Sequence, residues 1–485
     1  MKIRLDSNTS GKNFYITTTL PYVNADLHIG HAMEFVYADI VARYKRLLGF
    51  NVFFNTGTDE HGLKIYRKAV EGGQEPQKYA DEYFEKFKEV IGILGLFDGV
   101  NLIRTTDENH KKSAQEFWKV CDKNGYIYKK NYKIKYCVGC ELEKTESELE
   151  DGCCPLHPNQ KLEIIDEENY FFTFSKFQKP LLELYENNPN FVVPVSRLKE
   201  IKTFVGRGLE DFSISRLKRK MPWGVAVPND PEHIMYVWFD ALVNYISVIG
   251  WPGDTDKFSK WWPVTQYCGK DNLRQQAAMW QAMLLAAGLT ASKQIVVHGF
   301  INSGGRKMSK SLGNVISPVN IVAEYGADAL RYYLARELNP FEDSDVTIDK
   351  FKDAYNANLA NGLGNLTGRI IKMSETYLEK PVNAEVIFEF PKEFSEHIER
   401  FELNKAMDFV WRKISEADSY IQKNQPFKVI KENKEEGEKM IAHLVRELSA
   451  IADLLKIFMP DTAENIKKAI KENKMPVKSL FPRKE

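Results

Sequence analysis

Residues 13–55, NFYITTTLPYVNADLHIGHAMEFVYADIVARYKRLLGFNVFFN, decide the fold. Asn13 to Thr19 is rich in β-branched and aromatic residues and runs into Pro21 and a short polar loop, which reads as a strand and a turn. From Gly30 to Leu48 the apolar residues Met33, Val36, Ile40, Val41, Tyr44 and Leu47 recur at helical spacing, and Gly49 stands where a helix would stop. A second strand, Asn51 to Asn55, follows at once. Strand, helix and strand of these lengths form a parallel βαβ crossover, which places the loop before the helix at the carboxyl end of the first strand, where open α/β sheets bind ligands. The expected class is therefore α/β, with a Rossmann-like parallel sheet.

Outward from this unit the chain changes character twice. Residues 125–225 gain a cysteine cluster, acidic runs and lysines before strand-like residues resume at His233 to Phe239, so this span reads as an insertion between a first sheet half, 1–124, and a second, 226–300. Gln294 to Val297 is another short apolar strand, and a glycine-rich basic loop, Ser303 to Gly313, opens the segment 301–350. Residues 351–485 turn helical, with Pro381, Pro391 and Pro426 as breakers, and read as a separate all-α domain.

Composition narrows the functional classes. A chain of 485 residues has room for about three domains at roughly 150 residues each. With 43% hydrophobic and 28% charged residues it buries a substantial core and is not disordered. The 67 basic residues balance 67 acidic ones, so nucleic-acid binding must come from local patches. The longest apolar stretch, Ala277 to Leu289, is too short for a bilayer core of about 30 Å, and the first residues do not resemble a secretory signal; no membrane association and a cytoplasmic location are expected.

Two motifs point to phosphate chemistry. His28-Ile29-Gly30-His31 opens the predicted helix, where free backbone N–H groups and the positive dipole end attract anions and Gly30 permits close approach. Lys307-Met308-Ser309-Lys310-Ser311, flanked by Gly304, Gly305 and Gly313, places two cations in a hinged loop that can close over phosphates. Either alone is matched by a bland alternative, a capping histidine or a solvated basic loop. A third motif is Cys137-x-x-Cys140 followed by Cys154-x-x-His157, spaced for one tetrahedral zinc. Cys153 competes with Cys154, but the spacing to His157 favours Cys154. A closed set of four ligands implies a structural ion.

HIGH and KMSKS together form the double signature of class I aminoacyl-tRNA synthetases, and the surrounding stretches, including TGTDEHG, ENYFFTFSKFQ, GLEDFSISR, YVWFDALVNYIS, GKDN, HGFINSGGRKMSKSLGNVISP and NGLGNLTGR, resemble the methionyl-tRNA synthetases. The resemblance implies methionine–tRNA ligase activity: adenylation of L-methionine by ATP with magnesium, then transfer to the terminal adenosine of tRNA(Met) for translation. It implies that His28, Gly30, His31, Lys307 and Lys310 handle ATP phosphates, with the two histidines and two lysines catalytic, and that Asp271 meets the ribose. Asp59 would receive the substrate ammonium group. Leu20, Tyr22, Trp238, Tyr245 and Trp280 would form the methionine pocket, with Asn272 and Gln276 standing where many bacterial relatives have isoleucine and histidine. Asn365 and Arg369 would read the anticodon, and Phe427, after Pro426, would stack where the family often has tryptophan.

The chain is short for the isoleucine, valine or leucine enzymes of this class, and a cysteine enzyme would direct its metal to substrate. A noncatalytic tRNA-binding relative would not need both phosphate loops. No length remains after Leu480 for a dimerising domain, so a monomer is expected.

Overall fold

The computed structural model describes residues 11–140, 142–144, 148–308, 313–384 and 389–485. Its centre is a parallel sheet of six strands: β1 (Asn13–Thr17), β2 (Asn51–Thr58), β3 (Asn101–Arg104), β4 (Val192–Val193), β5 (Thr265–Gly269) and β6 (Gln294–His298). They lie in the order β3-β2-β1-β5-β6-β4, with every neighbouring pair parallel. β5 is buried along its length and β6 nearly so, as expected for central strands covered on both faces. The strand order reverses between β1 and β5, opening a crevice at their carboxyl ends.

The helix after β1, α1 (Ile29–Leu47), buries Met33, Val36, Ile40, Val41 and Tyr44 of the positions its periodicity marks, and leaves Leu47 partly exposed at its end. It also buries Glu34 against Thr19 and His298, Phe35 against Phe87, and Tyr37 and Asp39, which bond to Leu334 and Arg331. One apolar core runs from α1 through Leu330 and Leu334 to Phe394 and Phe458.

Within 125–225, an antiparallel hairpin pairs Ile127–Cys137 with Glu163–Phe172, edged by Leu142–Lys144 and Phe212–Ser213. The span is not wholly separate from the main sheet. Its strand β4 pairs Val192 with Ile295 at the sheet edge, and a two-residue strand leaves no periodic trace in sequence. Nor does the main sheet resume at 233–239: Asp230–Met235 joins a three-stranded antiparallel sheet, and Val237–Ala241 is helical.

The C-terminal region is helical over Ile348–Ala354, Asn365–Tyr377, Lys392–Glu399, Leu403–Asn424, Pro426–Glu432, Lys434–Leu455 and Pro460–Glu472. Pro426 and Pro460 occupy first turns, where a missing N–H costs nothing. A buried polar knot fastens these helices to α1. Arg331, fully enclosed, donates to Asp39 at 2.6 Å and to the carbonyls of Phe458, at 2.6 Å, and Ile457, at 3.1 Å. Asp39 also accepts from Arg43 and from the Phe97 N–H, so the buried pair is well satisfied on both sides. No helix among the described residues is long and apolar enough to cross a membrane.

Candidate active site

The crevice at the strand reversal holds a cavity of about 340 Å³. Thr19, Leu20 and Tyr22 reach it from the end of β1, Asp59 from β2, Asp271 and Asn272 from β5, and His298 from β6. Four chain segments far apart in sequence thus converge because their strands end on one edge.

At one end of the cavity the two motif histidines cap α1 reciprocally. The Gly30 N–H donates to His28 Nδ1 at 3.1 Å, and the His28 N–H donates to His31 Nδ1 at 3.1 Å. An imidazole nitrogen that accepts carries no proton, so each neutral ring keeps its hydrogen on Nε2. The rings stack with centroids 3.9 Å apart. Burial first, and the Lys307 charge after it, outweigh the backbone hydrogen bond and lower His28 to about 4; burial and the neighbouring His28 and His298 lower His31 as well. Both therefore act near neutrality as uncharged donors. Gly30 has a local reason to be glycine, since a Cβ there would lie 2.9 Å from the His28 ring.

The loop carrying Lys307 meets this cap. The Ile29 N–H donates to the Ile316 carbonyl at 3.0 Å, and the Met308 methyl lies over Gly30. Lys307 lines the cavity, with its ammonium 5.5 Å from the Phe300 ring centroid. Gly304 and Gly305, at φ +63° and +72°, make the turn that a side chain would strain. Lys310 lies outside the described residues. Asp271 stands exposed at the mouth, and a Cβ on Gly269 would collide with its Oδ1.

Between the cap and the sheet sits a pair that motif reading missed. Glu34 accepts from the Thr19 N–H at 2.5 Å and hydroxyl at 2.6 Å, and from His298 Nε2 at 2.7 Å. His298 Nδ1 lies 2.8 Å from the Gly299 carbonyl, so both ring nitrogens face acceptors and both must donate. Burial alone would lower His298, but the Glu34 hydrogen bond and charge raise it. A glutamate among the apolar positions of α1 was the available signal.

At the other end, Leu20, Tyr22, Asp59, Trp238, Tyr245, Asn272 and Gln276 line the cavity. Trp280 is not among them: it is fully buried behind Tyr245, with ring centroids 5.9 Å apart. Spacing cannot tell a wall from its backing. The Tyr22 hydroxyl donates to the His61 carbonyl at 2.6 Å, and His61 in turn meets the buried Asp240 at 3.0 Å, whose other oxygen faces His110. Burial would raise Asp240, but the charge of His61 and hydrogen bonds from both histidines pull it below the usual carboxylate range.

Cys137, Cys140, Cys154 and His157 place their ligand atoms within 4.8 Å of one another. Separations such as 3.5 Å between Cys140 and Cys154 sulfurs and 3.7 Å from Cys137 Sγ to His157 Nδ1 match the edges of a tetrahedron with bonds of about 2.0–2.3 Å. Gly139 is forced: a Cβ there would lie 2.5 Å from the His157 ring. Cys153 is outside this group and instead pairs its backbone with Glu150. The knuckle touches the cavity, since Gly139 and Cys140 line it and Lys64 donates to the Gly139 carbonyl.

Asn365, Arg369 and Phe427 are exposed on the helical region, far along the chain from the cavity. Arg369 is paired with Asp418, on the helix that leads through Gln425 into the Phe427 segment.

The family model of class I tRNA synthetases (M) matches residues 14–161 and 139–371. The methionine–tRNA ligase of Thermotoga maritima is 38% identical over 483 residues, covering 96% of this chain and 76% of the relative. That of a Synechocystis species is 39% identical over 95% of this chain and 90% of its own. The solved Mycobacterium tuberculosis methionyl-tRNA synthetase in complex with methionyl-adenylate superposes with a TM-score of 0.89 at 33% identity, covering 97% of this chain and 100% of that one.

Proposed function

The chain belongs to the methionine–tRNA ligases of the class I tRNA synthetases, and on that premise we propose how its residues divide the work. It is an ATP-dependent ligase that activates L-methionine to methionyl-adenylate with release of pyrophosphate and charges tRNA(Met).

In our reading the methionine carboxylate attacks the α-phosphorus of ATP and the α–β bridging oxygen leaves with pyrophosphate. The Nε2–H groups of His28 and His31 donate to phosphate oxygens, and their neutrality lets them hold the chain without gripping pyrophosphate as a fixed charge would. Lys307, and Lys310 beyond the described residues, meet the charge that grows on the leaving group. Asp271 accepts from a ribose hydroxyl, and Asp59 receives the amino acid's ammonium group. Magnesium, travelling with ATP, neutralises phosphate charge. Cys137, Cys140, Cys154 and His157 would hold a structural zinc that fixes the knuckle against the cavity, since four ligands leave no position for substrate. Asn365, Arg369 and Phe427 are assigned to the anticodon, with Arg369 exchanging its Asp418 partner for RNA. We place the activity in the cytoplasm and take the protein to be a monomer, which sedimentation at a mass of 55.9 kDa tests.

The observation that carries this reading is the meeting of two neutral histidine donors, Lys307 and Asp59 around one cavity. ATP–pyrophosphate exchange with each of the twenty amino acids tests it. Exchange with methionine alone is expected; exchange with a different amino acid would move the specificity, and none from folded, metal-loaded protein would overturn the assignment.

A further inference from the structure

Behind the methionine end of the cavity lies a relay of five buried polar side chains whose direction can be worked out from one end. Gln281 is anchored by backbone at both tips: its oxygen accepts from the Ser292 N–H at 2.9 Å, and its nitrogen donates to the Gln276 carbonyl at 2.7 Å. A backbone N–H only donates and a carbonyl only accepts, so this amide cannot be turned over. The Gln281 nitrogen also donates to Ser292 Oγ at 3.2 Å, which frees the serine hydrogen for Gln266 Oε1. Gln266 therefore presents its nitrogen to Gln276 Oε1 at 2.8 Å, and Gln276 presents its own nitrogen to the Tyr245 hydroxyl oxygen at 2.7 Å. Every side chain in the relay is at least 95% buried, so water does not scramble the order. In the reverse order the serine hydrogen would lose its acceptor.

We propose that Gln266 is a positioning residue: by fixing the Gln276 amide it forces the Tyr245 hydroxyl to spend its hydrogen away from the relay, toward the amino-acid end of the cavity. The proposal rests on the reading of that end as the methionine site. A thioether sulfur accepts a weak hydrogen bond and a methylene does not, so the relay favours methionine over its isostere norleucine. None of its members titrates near neutrality, since burial raises the Tyr245 hydroxyl and the others are amides and a serine.

The test compares methionine with norleucine in pyrophosphate exchange by the wild-type protein and by Gln266→Met, which keeps the volume but removes the donor, leaving the Gln276 amide able to turn and accept the tyrosine hydrogen. The preference for methionine in kcat/KM should fall about fivefold, the worth of one modest hydrogen bond. Ser292→Ala should lower it in the same direction and carries the test alone if Gln266→Met does not fold. Equal losses for both amino acids, with their ratio unchanged, would reduce Gln266 to a packing role and overturn the proposal. Failure of the wild-type protein to activate methionine at all is a separate result, which removes the reading beneath the relay and the relay with it.

Discussion

The two ends of the cavity are built by opposite means. The end we assign to phosphate rests on backbone: a helix terminus, glycine turns and two histidines whose Nδ1 atoms are committed to capping. The end we assign to the amino acid rests largely on buried side chains contributed by β5, the segment after it and the helix carrying Trp238, and of its relay amides only Gln276 lines the cavity, while Gln266 and Gln281 stand behind it. Backbone construction leaves short contiguous motifs; side-chain construction scatters its parts. One end is thus written as a signature and the other as a fold.

The largest effect that separates them is expected at Lys307. Lys307→Ala should lower the exchange rate roughly 10²–10³-fold with little change in the KM for methionine, because the charge it meets appears only as pyrophosphate leaves. A comparable rise in the methionine KM would join the two ends that the comparison divides. Next, Gln276→Leu leaves the Gln266 nitrogen and the Tyr245 oxygen without their partner, and the methionine KM should rise about 10- to 100-fold while the ATP KM holds. Steady-state kinetics with each substrate varied in turn reads both.

The smallest effect is in pH. His28 has an ordinary value of 6.5 and is lowered to about 4 in the fold, so between these values the unfolded chain binds a proton that the folded one refuses. Stability should therefore be fully present above about pH 6.5 and fall as pH drops toward 4. The loss should be smaller in His28→Asn, which keeps a cap but cannot titrate. Thermal unfolding across this range measures it; the amide relay should add no dependence of its own.

Much of this was legible in sequence, for physical reasons. The βαβ unit around α1 announced itself because strand and helix periodicities are local, and the metal ligands because two x-x spacings and a small loop must close on one ion. β4 was hidden, since two residues make no pattern and its partner is a hundred residues away. Trp280 was read as a wall because it is aromatic and near the motif, yet only packing decides which ring faces the void. Glu34 and His298 form their pair across 264 residues of chain, and Gln266 meets Ser292 across 26. Such groups signal only as polar residues where apolar ones are due.

The knot between Asp39 and Arg331 has a mechanical consequence. α1 has 19 residues, about 28 Å of stiff rod at 1.5 Å per residue, with His28 and His31 at its tip and the clamp near its middle. A rod held there is a lever with its fulcrum at Asp39. Torque applied to the C-terminal bundle would reach the proposed phosphate site as displacement of the tip, passing through the turn that carries Ile457 and Phe458 and then through packed helix.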